Sequence, residues 1–349
     1  MTVHRLSTGS VVYGELPKGC QLCQQGLKTI IFLTGLCPQR CFYCPLSHER
    51  RGKDIAYVNE RMVPLELLGR AASLEILLSA SKGASITGGE PLLKYQVALE
   101  LVRSIKEIFS SDFHLHLYTS GLLLSEKRVE ELGDAGLDEL RVHAPLDALE
   151  RILKVVKDVR GDMRVGLEYP ALPGRRDYLI TLLEVAEKYE LDFLILNELE
   201  FTETNATSLL LRGYSMLPDY RAARSSRETA LSVIEEAERR SVSLSVHFCP
   251  VSVKDGVQTA LRVYRRASLV ALPHQLVSDE GTVLEVEYTR LRGLRRIAGL
   301  YPKGKLPFFF HELAAEGSVL ERSPALDGLV LEEIPLKRSL ADAKEFLGG

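Results

Sequence analysis

Segments of strand length recur along this 349-residue chain, with helical stretches between them. Lys28 to Thr34 is a continuous apolar run, and Ala84 to Thr87, Phe113 to Thr119, Glu139 to His143, Arg164 to Glu168 and Phe193 to Asn197 are further strand candidates. Six strand–helix units in a row suit parallel strands joined by right-handed helical crossovers. Val97, Leu101, Ile105 and Ile108 form one helical stripe. Asp147 with Glu150 has capping-box spacing before a helix that buries Leu149, Ile152, Leu153 and Val156. Ser225 with Glu228 has the same spacing before a helix reaching about Arg240. Six such units are too few to close an eight-stranded barrel, although Ser243 to Phe248 extends the series. Residues that act on a ligand are expected where strands end, because those loops converge on one face.

One such end carries Cys37-Pro38-Gln39-Arg40-Cys41-Phe42-Tyr43-Cys44. Three thiolates on this spacing can hold a four-iron cluster and leave one iron open. Zinc with a fourth ligand from elsewhere, or buried free thiols, are the competing readings. A second strand end reads Ser85-Ile86-Thr87-Gly88-Gly89-Glu90-Pro91. Its glycines permit a tight turn and a close backbone approach, and Glu90 offers a carboxylate suited to an ammonium group. Alone it is an ordinary strand-to-helix turn.

Together, in this order, the two motifs resemble the radical S-adenosylmethionine superfamily. The resemblance implies an α/β fold, a partial (β/α)6 TIM-like barrel over 28–249, with 1–27 as an N-terminal segment and 250–349 as a small C-terminal α+β extension. It also implies a [4Fe-4S] cluster on Cys37, Cys41 and Cys44, whose open iron chelates S-adenosylmethionine. Gly88, Gly89, Glu90 and Pro91 would then hold the methionine end, and Tyr43 would lie near the adenine. Reductive cleavage would yield a 5′-deoxyadenosyl radical, with the electron coming from a donor such as a ferredoxin or flavodoxin. The run through Pro45-Leu46-Ser47 further resembles archaeal-type iron–sulfur proteins related to pyruvate formate-lyase activating enzyme. That likeness names no substrate.

Other strand ends offer further candidates. Ser120, in Thr119-Ser120-Gly121, could meet a ribose or a carboxylate, or simply form a turn ahead of an N-cap at Ser125. Arg141 and His143 share a strand face, and His143 is either a core histidine or a cavity residue. Gly166 stands where the family often has a glycine near adenine, but the longer family pattern with a distant glutamate is not matched. Glu168, a carboxylate within a strand, needs a partner if it points inward. Of Glu198 and Glu200, beside Asn197, one is expected to face the cavity.

Cys20, Cys23 and Cys249 complete the six cysteines. A second centre, an auxiliary iron–sulfur cluster or a zinc, is expected on these three, against the alternative of a thiol pair and one buried cysteine. His247 would be a fourth ligand, lying beside Cys249 only if the strand has ended there.

Beyond Cys249, Val270 to Leu276 and Thr282 to Tyr288 flank a turn at Ser278 to Gly281 and read as a hairpin. Arg290, Arg292, Arg295 and Arg296 cluster, more in keeping with a solvated helix face than with RNA. Phe308, Phe309 and Phe310 read as core, and a last helix is expected over about Ser339 to Leu347. Net charge is −3, so nucleic acid is not an expected partner. No long apolar segment or signal-peptide pattern occurs, so a cytoplasmic protein without membrane contact is expected. A radical enzyme is the leading function. A non-catalytic iron–sulfur electron-transfer protein on the same fold is the alternative.

Overall fold

The computed structural model describes every residue except 219, 292–300, 326–327 and 337–349. The described chain divides into two compact units, one of Met1–Leu77 with Ser81–Gln258, the other of Leu78–Ala80 with the residues from Thr259.

The first unit opens with strands β1 (Val3–Arg5) and β2 (Val11–Tyr13) and helix α1 (Lys18–Gln24). Strand β3 (Lys28–Phe32) follows, then the short β4 (Ala56–Val58) and β5 (Arg61–Val63) and helix α2 (Leu68–Leu78). Regular alternation begins with β6 (Gly83–Thr87), α3 (Tyr95–Phe109), β7 (His114–Thr119), α4 (Glu126–Asp134) and β8 (Glu139–Val142). It continues through α5 (Leu146–Lys157), β9 (Arg164–Ala171), α6 (Arg176–Lys188) and β10 (Phe193–Glu198). An excursion carrying α7 (Ala206–Leu210), β11 (Met216–Leu217) and β12 (Tyr220–Ala223) precedes α8 (Ser226–Arg240) and β13 (Ser245–Cys249).

Seven strands run parallel, in the order β13-β10-β9-β8-β7-β6-β3. The expected extension over Ser243 to Phe248 is therefore the seventh parallel strand. The sheet does not close. Antiparallel β4 and β5 end it on one side, and antiparallel β2 and β1 on the other. The N-terminal residues thus supply an edge of the barrel sheet.

Alternation along these strands sorts the side chains. Ile31, Ile86, Leu117, Leu140, Leu167, Leu196 and Phe248 belong to the buried apolar core that includes the helices. Their neighbours Lys28, His116, Glu139, Arg141, Glu168 and His247 turn to the other face, a polar lumen. Within it Lys28 Nζ lies 3.2 Å from His116 Nε2, and Arg141 pairs with Glu139 at 2.5 Å and Glu168 at 2.9 Å. The Gly19 amide at the start of α1 donates to Glu139 Oε2 at 3.1 Å, which anchors this helix at the lumen's lower end.

Three helix expectations are corrected. Pro145, not Asp147, precedes α5, and no side chain caps it, because proline's ring has no atom that can accept from the first-turn amides. The buried face of α5 is as expected. Ser225 precedes α8 in the left-handed region, and its hydroxyl makes no cap hydrogen bond. Ile108, on the last turn of α3, is exposed, so that stripe ends at Ile105. Ser125 does cap α4, accepting from the Arg128 amide.

The second unit holds α9 (Ala260–Val270) and a sheet of β14 (Leu276–Val277), β15 (Val283–Leu291), β17 (Ala314–Arg322) and β18 (Val330–Pro335), with β16 (Lys305–Leu306) also on β15. The expected hairpin is β14 with β15, but its first arm is shorter because α9 runs to Val270. Phe309 is exposed, so the phenylalanine run is not all core. Of the four clustered arginines only Arg290 is described, paired with Glu316 at 3.3 Å. The expected final helix lies outside the described residues.

Glu285 is buried on β15. Burial alone would raise its pKa, yet bonds from Lys305, Gln275 and Arg322 lower it from 4.5 to about 2. A depressed carboxyl stabilises the fold above its unfolded value and loses that contribution as pH falls. Glu285→Gln is expected to remove on the order of 2–3 kcal/mol of acid-sensitive stability between pH 4.5 and about 2, read by hydrogen exchange in β15 and β17.

Candidate functional site

The chain leaves β3 at its C-terminal end and makes a loop whose base is tied together. The Gly35 amide donates to Lys53 O at 2.8 Å, and the Gly52 amide donates back to Gly35 O at 2.8 Å. A Cβ on Gly35 would stand 1.7 Å from Arg50 O, so only glycine permits this crossing. Gly35→Ala is therefore expected to prise the base apart. Tryptic cleavage at Arg50, Arg51 and Lys53 should speed up by roughly tenfold or more, because proteolysis tracks the open population.

The same loop is bonded to the Gly-Gly-Glu-Pro turn. The Gly89 amide donates to Thr34 O at 2.7 Å, and the Glu90 amide to Leu36 O at 2.8 Å. A Cβ on Gly88 or Gly89 would lie 2.4 Å or 2.3 Å from those carbonyl oxygens. The paired glycines thus let two backbones touch, which registers one motif against the other.

Between them lies a cavity of about 530 Å³. It is lined by Cys37, Cys41, Cys44 and Tyr43 on one side, and by Gly88, Gly89, Thr119, Ser120, His143 and Glu168 on the others. Glu90, Pro91 and Gly166 stand outside this lining. The Glu90 carboxylate is fully buried. It accepts from Thr119 Oγ1 at 2.9 Å, the Ser120 amide at 2.7 Å, the Ser120 hydroxyl and the Leu92 amide at 3.0 Å. It thereby fixes the end of β7 instead of presenting a free oxygen to the cavity. Pro91 opens the 3₁₀ turn that Glu90 caps. Gly166 gives room to the Phe193 ring, which a Cβ would meet at 2.1 Å.

Tyr43 Oη lies 2.9 Å from His143 Nε2, and His143 Nδ1 lies 2.8 Å from Glu168 O. His143 also stacks on Tyr169 at 4.5 Å. Burial pushes the His143 pKa down and that of Tyr43 up, so both groups stay neutral. His143 is both packed and cavity-lining, which unites the two expectations for it. Neither of the two acids near Asn197 lines this cavity, which corrects the expectation that one would; Glu198 is buried and accepts from the Val251 amide at 2.9 Å.

The sequence gives little warning of what braces the cysteine loop from behind. Leu172, Leu199, Phe201, Leu209 and Ala223 form an apolar cluster on which Phe42 and Tyr43 pack. Fully buried Asn205 donates to Tyr43 O at 3.0 Å and Glu200 O at 2.9 Å, and accepts from the Thr202 amide. Its one visible signal is the turn-prone Thr202-Glu203-Thr204-Asn205 run ahead of α7.

Cys20, Cys23 and Cys249 do come together. They line a second cavity of about 270 Å³ within the lumen, with Lys28, Arg141 and His247. Arg141 Nη2 lies 3.4 Å from Cys20 Sγ, and Cys23 Sγ lies 3.0 Å from Gln258 Oε1. His247 faces this cavity because β13 runs on through Cys249, and residues two apart share a strand face. The expectation that the strand must first end is thus corrected. His247 is 1% exposed, and neither ring nitrogen has a hydrogen-bond partner. Leaving such a group unsatisfied costs about 1–3 kcal/mol. Thr87, Tyr118, Glu168 and Asn197 line both cavities.

All six cysteines are free thiols. Among the described residues, no group of three or more His, Cys, Asp or Glu side chains is arranged to hold a single metal ion. Among them, too, no helix is long and apolar enough to cross a membrane.

The sequence profile of the Radical SAM superfamily matches residues 31–168, a span holding both motifs. A Methanocaldococcus jannaschii protein, provisionally named a glycyl-radical enzyme activating enzyme, is 32% identical over 340 residues, 92% of this chain and 84% of that protein. The chain belongs to the radical S-adenosylmethionine superfamily. A Methanococcus aeolicus protein provisionally named a GTP 3′,8-cyclase is 36% identical over 121 residues, 34% of this chain and 37% of its own. The Streptococcus suis protein SuiB, solved with its precursor peptide SuiA, shares 14% identity at a TM-score of 0.46, covering 64% of this chain and 48% of that one. The chain thus spans about half of SuiB.

As a radical S-adenosylmethionine protein the chain is an enzyme, and the family implies a [4Fe-4S] cluster and S-adenosylmethionine. The donor set suits them. Three free thiols from one loop reach one cavity, and a cluster takes one thiolate per iron, so the thiols need not converge on a point.

Proposed function

We propose that this enzyme binds a [4Fe-4S] cluster through Cys37, Cys41 and Cys44 and cleaves S-adenosylmethionine reductively in the 530 Å³ cavity. The observation that carries the reading is the pair of backbone bonds holding the cysteine loop against Gly88 and Gly89. When bound, the reduced cluster supplies one electron to the sulfonium, giving methionine and a 5′-deoxyadenosyl radical that takes a hydrogen atom from a substrate.

The chain's own residues position and enclose. Gly88 and Gly89 offer backbone polar groups to the amino-acid end of S-adenosylmethionine. Glu90 acts as a positioning residue, holding Thr119 and Ser120 where their backbone and hydroxyls edge the cavity. Tyr43, held by His143, faces the adenine. Glu168 already accepts from Arg141 and from Asn197 at 2.8 Å, and it supplies a fixed negative wall. A ferredoxin or flavodoxin is the proposed electron donor. Cys20, Cys23 and Cys249 bind a second centre, an iron–sulfur cluster or a zinc ion. The name of the M. jannaschii relative makes a glycyl-radical protein the first substrate to try.

Anaerobic reconstitution with iron and sulfide, reduction and addition of S-adenosylmethionine should release methionine and 5′-deoxyadenosine in equal amounts. A fully loaded, reduced protein that releases neither, with or without candidate substrates, would contradict the reading.

A further inference from the structure

Resting on the reading of Cys20, Cys23 and Cys249 as a second centre, we infer that this centre is an iron–sulfur cluster inside the barrel lumen, with His247 as its fourth ligand. The three thiols come from two distant parts of the chain, the turn of α1 and the end of β13, yet they line one cavity of about 270 Å³. Cys20 and Cys249 pack in the same small apolar cluster with Phe193 and Ile195.

One observation bears on a cluster against a bare ion, and a second bears on the ligand set. A structural zinc needs its donors converging on one point. The described side chains show no such convergence, at either cysteine triad. The two triads are alike in this respect, and a cluster takes one ligand per iron, so its ligands need not meet at a point. His247 is the second observation. It is almost completely buried, it lines the same cavity, and both its nitrogens are without partners. A histidine that merely filled core would have its polar edge bonded to something. Imidazole is an established substitute for thiolate on cluster iron.

The placement adds a consequence. Thr87, Tyr118, Glu168 and Asn197 line both this cavity and the S-adenosylmethionine cavity. The two cofactors would face one another across a single layer of side chains.

The test uses full-length protein carrying Cys37→Ala, Cys41→Ala and Cys44→Ala together, which empties the first site and leaves the lumen intact. Reconstituted anaerobically with iron and sulfide, with zinc offered in a parallel sample, it should retain iron and acid-labile sulfide for one cluster per chain. Adding Cys249→Ala should reduce both to background, and Cys249→Ser, with circular dichroism, separates ligand loss from misfolding. His247→Ala should keep the iron but shift the electron paramagnetic resonance signal of the reduced cluster.

One zinc per chain without sulfide would overturn the cluster while leaving the second centre standing. Neither metal bound would overturn both. An unchanged resonance signal in His247→Ala would remove the histidine from the ligand set.

Discussion

Cys41→Ala is expected to lower 5′-deoxyadenosine release by at least about 100-fold, since changes to groups that merely orient metal ligands already cost 10–100-fold. The fold should survive the change. Cys41 is half-buried on a loop outside the apolar core, and its sulfur's hydrogen-bond partners, Gln39 Oε1 at 3.2 Å and Tyr43, are each two residues away. The loop is held instead by backbone bonds at Gly35 and Gly89 and by Asn205 beneath it. Thermal unfolding should therefore stay within a few degrees of the parent, because exposed or loop changes away from such features cost about 0.5 kcal/mol or less. The decisive comparison is product release per bound iron at equal folded fraction. Parental release from the variant would end the assignment of this triad.

Arg141→Met is expected to act the other way, costing about 3–5 kcal/mol of stability before any effect on chemistry. Arg141 is 2% exposed, and its guanidinium serves Glu139, Glu168 and Tyr118 at once. Methionine fills much the same volume but leaves the fully buried Glu139 carboxylate without its guanidinium partner, held by the Gly19 amide and His114 alone. Burial works to raise the Glu139 pKa, but Arg141 and His114 outweigh it and hold the carboxyl well below its ordinary range. The arginine's contribution is therefore complete at neutral pH and fades as acid protonates Glu139. Urea unfolding at several pH values should show the largest deficit near neutrality and a shrinking one in acid. Adding Glu139→Gln to Arg141→Met should restore part of the loss, since the two groups share one network. A constant deficit across pH would place the effect in packing instead.

The strands were legible because strand-length segments alternate regularly with helical stretches along the chain. The cysteine triplet was legible because its spacing is short and local. What escaped was whatever depends on distant parts of the chain meeting. Glu90 looks free in sequence, yet Thr119 and Ser120 occupy its oxygens. Asn205 sits 162 positions from the tyrosine whose carbonyl it holds. Glu139 and Arg141 read as part of a strand, and nothing local says that α1 presses Gly19 against the same carboxylate. Helix entries at Pro145 and Ser225 depend on the backbone angle of a single residue, which side-chain spacing does not report.

The barrel sheet ends on three-residue strands, with Arg5 exposed on β1 and Arg61 and Met62 exposed on β5. Short, charged, antiparallel borders are poor templates for a strand from another molecule. Seven parallel strands are slow to assemble and dangerous while incomplete. These two fringes finish the sheet with pairings close in sequence, β1 with β2 and β4 with β5. Borders of this kind are expected to act as gatekeepers, blunting edge-to-edge pairing of an open barrel sheet between copies of the chain.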